Sequence, residues 1–98
     1  MGEAMQNDEF EWEDDKARGN LAKHRVDFMD ARLVFEDPGV LDDPEETMDY
    51  GEDSYRAIGF VGDRLTTVFY TLRGRRIRII SARPSSRQEQ EDYAGQNP

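Results

Sequence analysis

The chain has 98 residues, a formal net charge of −9, 36% apolar and 36% charged residues, and no cysteine. That length makes one small domain with a modest core, and the lack of cysteine excludes a disulfide framework, thiolate metal sites and a cysteine nucleophile. No apolar run approaches the roughly 18–20 residues of a membrane-crossing helix, and Met1–Asn7 carries no basic and apolar export pattern, so the expected location is the cytoplasm.

Residues 1–8 are polar and predict a disordered N-terminal segment ahead of a single folded domain over 9–94, with 95–98 as a tail. Glu9–Trp12 alternates, with Phe10 and Trp12 on one side, and reads as a short strand. Asp14 or Asp15 can cap a helix over Lys16–His24. Asp27, with Asp30 three residues on, opens a second helix over about Phe28–Phe35 that buries Ala31, Val34 and Phe35 and ends at Pro38-Gly39. Val40–Leu41 reads as a short strand and the acidic stretch Asp42–Asp53 as a solvated loop.

Three strands follow, Tyr55–Val61, Arg64–Leu72 and Arg76–Arg83, joined by tight turns at Gly62-Asp63 and at Arg73-Gly74 or Gly74-Arg75. Pro84 stops the last strand, and Ser85 or Ser86 caps a final helix reaching about Tyr93. The pattern predicts an α+β fold: a small twisted antiparallel β-sheet with two N-terminal helices on one face and a short C-terminal helix.

Charge is divided unevenly along the chain. Residues 1–55 hold 18 acids against 5 bases, whereas 56–98 hold 8 bases, all arginine, against 4 acids. Such asymmetry fits either an anionic ligand or internal pairing of the two halves. Pairing across the predicted hairpins puts Tyr55, Ala57, Val61, Val68, Tyr70, Leu72, Ile77 and Ile79 on a core face. The other face receives Arg56, Ile58, Phe60, Leu65, Phe69, Thr71, Arg73, Arg76, Arg78 and Ile80. Guanidinium groups bind phosphate through two parallel hydrogen bonds and aromatic faces stack bases, so this face suits RNA; pairing with the acidic loop or the final helix is the alternative.

Phe10-Glu-Trp-Glu, Lys16 with Asn20, Lys23-His24 before Val26 and Phe28, Ala31 with Val34-Phe35, and Arg78-Ile-Ile-Ser-Ala-Arg83 leading to Glu91 and Tyr93 occur in one order over about Glu9 to Tyr93. In these segments the chain resembles the BrnT family of toxins. The resemblance implies a fold like the RelE ribonucleases, an endoribonuclease activity that inhibits translation and growth, and neutralisation by a BrnA-like antitoxin. That partner would form a hetero-oligomer with the chain and supply its DNA binding. Two positions depart from the family pattern. Arg25 stands where members usually have glycine, and Ser54 where relatives often have an arginine.

RNA supplies its own nucleophile in the 2′-OH. Cleavage then needs cations for the developing phosphorane charge and groups to move protons. The expected catalytic set is Arg56, Arg78 and Arg83, with His24 as the one side chain whose ordinary pKa lies near neutrality. Lys23, Arg73, Arg76 and Phe69 are the expected RNA-binding residues. Asp42, Asp43, Glu45 and Glu46 cluster without calcium-loop spacing, and a single histidine makes no zinc set, so no metal and no cofactor is expected. The alternative function is a non-catalytic co-repressor whose arginine face serves only to bind the antitoxin.

Overall fold

The computed structural model describes residues 9–45 and 53–98. The expected disordered segment 1–8 and residues 46–52 of the acidic stretch, Glu46 included, lie outside the described residues. The order of elements is β1 (Phe10–Glu11), α1 (Asp14–His24), α2 (Phe28–Ala31) continued by a 3-10 turn (Arg32–Glu36), β2 (Leu41–Pro44), β3 (Tyr55–Val61), β4 (Arg64–Arg73), β5 (Arg76–Pro84) and α3 (Arg87–Gln96). The five strands form one sheet in the order β1-β5-β4-β3-β2.

The α+β class is the expected one, and the sheet is mixed: β2 to β5 pair antiparallel, whereas β1 lies parallel to β5 through Phe10↔Ile77 and Glu11↔Arg78. Asp42–Pro44, read from sequence as loop, extends the short strand β2 instead. Its acidic residues and terminal proline suit an edge strand, where charge and a missing N–H discourage further pairing.

Both hairpins close with a glycine at the first central turn position and positive φ, Gly62 at 63° and Gly74 at 61°. Such a residue at that place lets a two-residue turn follow the strand twist. Arg73 pairs with Arg76, which settles the second turn as Gly74-Arg75.

The back of the sheet carries the apolar core. Phe28, Ala31 and Val34 from the helical layer pack on Ala57, Val68, Tyr70 and Ile79, and Phe10 and Trp12 close the β5 side. Gly59 on β3 makes this packing possible, because a Cβ there would stand 2.8 Å from the Val34 carbonyl oxygen and 3.1 Å from its Cγ1.

Helix α1 is held to the sheet by a polar contact. The buried Asn20 amide donates to the carbonyls of Ala82 (2.8 Å) and Val26 (3.0 Å), and its oxygen accepts the Ala82 N–H (3.0 Å). Past the two residues covered by β1, Asn20 therefore meets β5 as a neighbouring strand would.

The cap of α1 differs from expectation. Glu13 is the N-cap and makes no side-chain cap bond, while Asp14 and Asp15 occupy the first turn, where negative charge complements the helix dipole. At the other end Arg25 takes the left-handed conformation, φ 62° and ψ 27°, with its N–H on the Leu21 carbonyl. Asp27 caps α2 as expected, accepting from the Met29 N–H at 2.9 Å. α3 runs past Tyr93 to Gln96 and starts with a capping box formed by Ser86 and Glu89.

Two stability measurements check these backbone assignments by chemical denaturation. Gly59→Ala is expected to destabilise the protein by about 1–3 kcal/mol, the range for forcing an extra methyl against a packed backbone; unchanged stability would show that the 3-10 turn can retreat without loss. Arg25→Gly is expected to raise stability by up to about 1 kcal/mol, because glycine enters the left-handed region without the Cβ crowding that arginine meets. A clear loss would mean that the Arg25 side chain makes compensating contacts.

Candidate functional site

The front of the sheet is the arginine face. From β2 to β5 one row reads Asp43, Arg56, Phe69, Ser81, and the row beside it reads Leu41, Ile58, Thr67, Arg83. Arg83 reaches this face through an irregularity in β5. Tyr70 pairs with Ile79 and Phe69 with Ser81, so Ile80 is an extra residue on the β5 side. A bulge of this kind reverses the facing of everything after it. It corrects the sequence reading: Ile80 does not continue the arginine row, Ser81 and Arg83 do, and Ala82 turns into the core.

α3 lies across one end of this face and delivers Glu89 to the arginines. Its Oε1 accepts from Arg83 Nη1 (2.7 Å), Thr67 Oγ1 (2.9 Å) and the Ser86 N–H (2.8 Å), and its Oε2 accepts from Arg83 Nη2 (2.9 Å). Arg56 Nη1 stands 3.8 Å from Oε2, while Arg56 Nη2 donates to Asp43 Oδ2 at 3.1 Å. The Arg83 guanidinium lies over the Phe69 ring, 5.3 Å from its centroid. Phe69 is only 6% exposed, so the ring supports Arg83 rather than presenting an open face to a base.

Arg78 sits one row further on, opposite Thr71 and beside Glu11. It donates to Glu11 Oε2 (2.7 Å) and Glu13 Oε2 (3.1 Å), and Arg76 Nη1 is 3.6 Å from Glu11. One strand and one row separate Arg78 from Arg56, on the order of 10 Å. Arg73 and Arg76 form the exposed pair nearest the second hairpin turn.

Lys23 and His24 end α1, in the helical layer that packs behind the sheet, and the structure does not bring them to the arginine face. The arginines are thus partnered by carboxylates, several from the acidic N-terminal half, so the internal-pairing alternative describes the chain as it stands.

Burial by itself would raise the Glu89 carboxyl, but the hydrogen bonds from Arg83, Ser86 and Thr67, together with the Arg83 charge, hold it down to about 2. Burial likewise disfavours the charged Arg56, and Asp43, then Glu89 and Glu45, more than compensate, raising it above the usual arginine value.

Sequence reasoning used Glu89 only as a place in a helix, although Ser86-x-x-Glu89 is a legible capping-box spacing. Asp43 was read as one carboxylate of a loop, and Glu11 and Glu13 only as parts of a motif. Among the described residues no three carboxylate or imidazole groups converge as a metal ion would need. No helix among them is long and apolar enough to cross a membrane. A cleft of about 940 Å³ opens at the sheet end beside α3, lined by Arg25, Phe60, Arg64, Leu65 and Tyr93 among others, and takes in none of Arg56, Arg78 and Arg83.

Glu89 gives the fold a defined acid sensitivity. Its carboxyl is depressed in the folded state, so its stabilisation is complete above the ordinary carboxylate value near 4.5 and is lost as pH falls toward about 2. The expected loss between those limits is of order 3 kcal/mol. Urea unfolding at stepped pH measures it, and Glu89→Gln should flatten that part of the profile; an unchanged slope in the variant would mean that other carboxylates carry the acid limb.

A search among curated proteins found no match. A family model described as ribonuclease toxin, BrnT, of type II toxin–antitoxin system matches residues 12–89, a span that begins at Trp12 behind β1 and ends at Glu89 itself. The match covers most of the chain, and the chain belongs to the BrnT family of ribonuclease toxins of type II toxin–antitoxin systems.

Proposed function

We propose that the chain is a metal-independent endoribonuclease that uses the RNA's own 2′-OH as nucleophile. The 2′-oxygen forms a bond to the adjacent phosphorus as the bond to the 5′-oxygen breaks. The proton lost by the 2′-OH passes to a base, and the 5′-oxygen leaves with a proton, giving a 2′,3′-cyclic phosphate and a 5′-hydroxyl.

The observation that carries this reading is the convergence of Arg56 and Arg83 on one carboxylate, with Arg78 on the same face. Permanently charged forks preorganised on one surface can stabilise charge that develops on phosphate oxygens. Arg56 and Arg83 take that role at the scissile phosphate. Arg78 takes it there or at the neighbouring phosphate, and Arg73 and Arg76 track the strand beyond. Phe69 acts through Arg83. His24 and Lys23, on the helical side, stand apart from this set. In the cell a BrnA-like antitoxin covers the arginine face, replacing RNA with its own acidic groups.

The ion pairing of every one of these catalytic arginines favours the second reading, a chain whose arginine face only binds the antitoxin. Purified chain free of antitoxin separates the two. The expected result is RNA cleavage undiminished by EDTA, with cyclic-phosphate ends, and a loss of about 100-fold in Arg56→Ala and in Arg78→Ala against a small loss in Arg73→Ala. Activity that vanishes in EDTA and returns with magnesium would overturn the mechanism. Equal small losses in Arg73→Ala and Arg78→Ala would reduce the face to a binding surface.

A further inference from the structure

We infer that Glu89 is a positioning residue for RNA cleavage: from α3 it fixes the guanidinium groups of Arg83 and Arg56 side by side on the open sheet face. The inference rests on the ribonuclease reading above and adds to it the group that sets the direction of its cations.

A capping box needs one carboxylate or amide oxygen on the N-cap N–H. Glu89 does more than that. Oε1 receives the Ser86 N–H, Thr67 Oγ1 and Arg83 Nη1, and Oε2 receives Arg83 Nη2 with Arg56 Nη1 nearby. Ser85 Oγ lies 2.8 Å from Thr67 Oγ1 and extends the network into the turn before α3. The two parallel hydrogen bonds from Arg83 fix the plane of its guanidinium as well as its place.

Donors remain for a ligand. A guanidinium has five N–H bonds. Among the described residues Arg83 uses Nη1 toward Glu89 and the Pro84 carbonyl and Nη2 toward Glu89, which leaves Nε–H and one Nη2–H on a side chain 31% exposed. Arg56 Nη1 stands at ion-pair rather than hydrogen-bond distance from Glu89.

A latch, with Glu89 displaced by an incoming phosphate, fits the geometry less well. Displacement would take from the Ser86 N–H its carboxylate partner and leave the Thr67 hydroxyl with Ser85 Oγ alone, in a place where Glu89 is 5% exposed. A carboxylate held this firmly is a fixed support. Long side chains aligned before the substrate arrives lose less freedom when they engage the transition state.

The test compares the purified full chain with Glu89→Gln and Glu89→Asp in steady-state RNA cleavage, with rates scaled to the folded fraction read by near-UV circular dichroism under assay conditions. Glutamine keeps an oxygen for the cap but cannot accept both Arg83 bonds or carry charge. The expected result for Glu89→Gln is a kcat reduced by about 10- to 100-fold with KM changed by less than about threefold, and Glu89→Asp recovering part of that kcat. Nitrogen-edited NMR supplies a readout that does not depend on activity: the heteronuclear NOE at Arg83 Nε should be rigid in the parent chain and mobile in Glu89→Gln. A folded-fraction-scaled kcat equal to that of the parent, or a rigid Arg83 Nε in Glu89→Gln, would overturn the inference while Arg83→Ala still abolishes cleavage. Full cleavage by both Arg56→Ala and Arg83→Ala would overturn the ribonuclease reading and the inference with it.

Discussion

The hydrogen bonds between the Asn20 amide and the backbone of Ala82 join the helical layer to the sheet just after β5 has gained its extra residue. β1 is two residues long and covers β5 only at Ile77 and Arg78. Beyond it the outer edge of β5 would bury an N–H and a C=O without partners, at a cost of about 1–3 kcal/mol for each group. One amide answers both. Because Ala82 is pinned inward, the next residue points outward, and that residue is Arg83. The helix that closes the core therefore also sets the arginine face, through a side chain that touches no arginine.

The front of the sheet is built on charge where the back is built on apolar contact, and its ion pairs are not equivalent. Arg78 holds Glu11, which is largely covered, and Glu13, which is 56% exposed. Exposed pairs contribute little and exchange readily with water or another anion. Arg83 holds a carboxylate that also serves a hydroxyl and a helix cap, and removing one partner of such a network leaves the others unsatisfied. One end of the face is thus open to exchange of anions while the other is fixed. The N-terminal acids meet these arginines unevenly: Asp43 pairs with Arg56, whereas Glu11 is shared between Arg76 and Arg78.

Much of the fold was legible because it rests on local chemistry. Period-two alternation and glycine turns located β3, β4 and β5, and Asp27 announced α2 through its own cap bond. What escaped depends on contacts distant in sequence. The β5 bulge lies within Ile79-Ile80, two apolar residues that leave the alternation ambiguous, so parity carried Ile80 onto the wrong face. Leu41 reads as strand but Asp42–Pro44 as loop, because acids and proline are poor strand formers, yet pairing with β3 over Leu41↔Ile58 to Pro44↔Tyr55 overrides that preference. The arginines of the candidate site were visible as a charge pattern. Glu89 was not, because its importance comes from Arg83 and Thr67 arriving from two different strands.

Ser54 shows how a local change propagates to this site. It stands where the family resemblance places an arginine, and here it is 5% exposed. Its Oγ donates to the Glu45 carbonyl at 3.0 Å, and its own carbonyl accepts the Glu45 N–H at 2.9 Å. These two bonds continue the β2–β3 pairing past Pro44 and hold Asp43 opposite Arg56, where it takes one arm of the guanidinium. A bulky arginine in that buried position would have to turn out of it and surrender the Oγ bond. Arg56 is met from two sides, by the edge strand through Asp43 and by α3 through Glu89. Those two elements are themselves tied together, since β2 pairs with β3, α3 packs on β3, and the Asn97 amide donates to the Gly39 carbonyl just ahead of β2, so the direction of the Arg56 guanidinium is set by alignment of the whole sheet end.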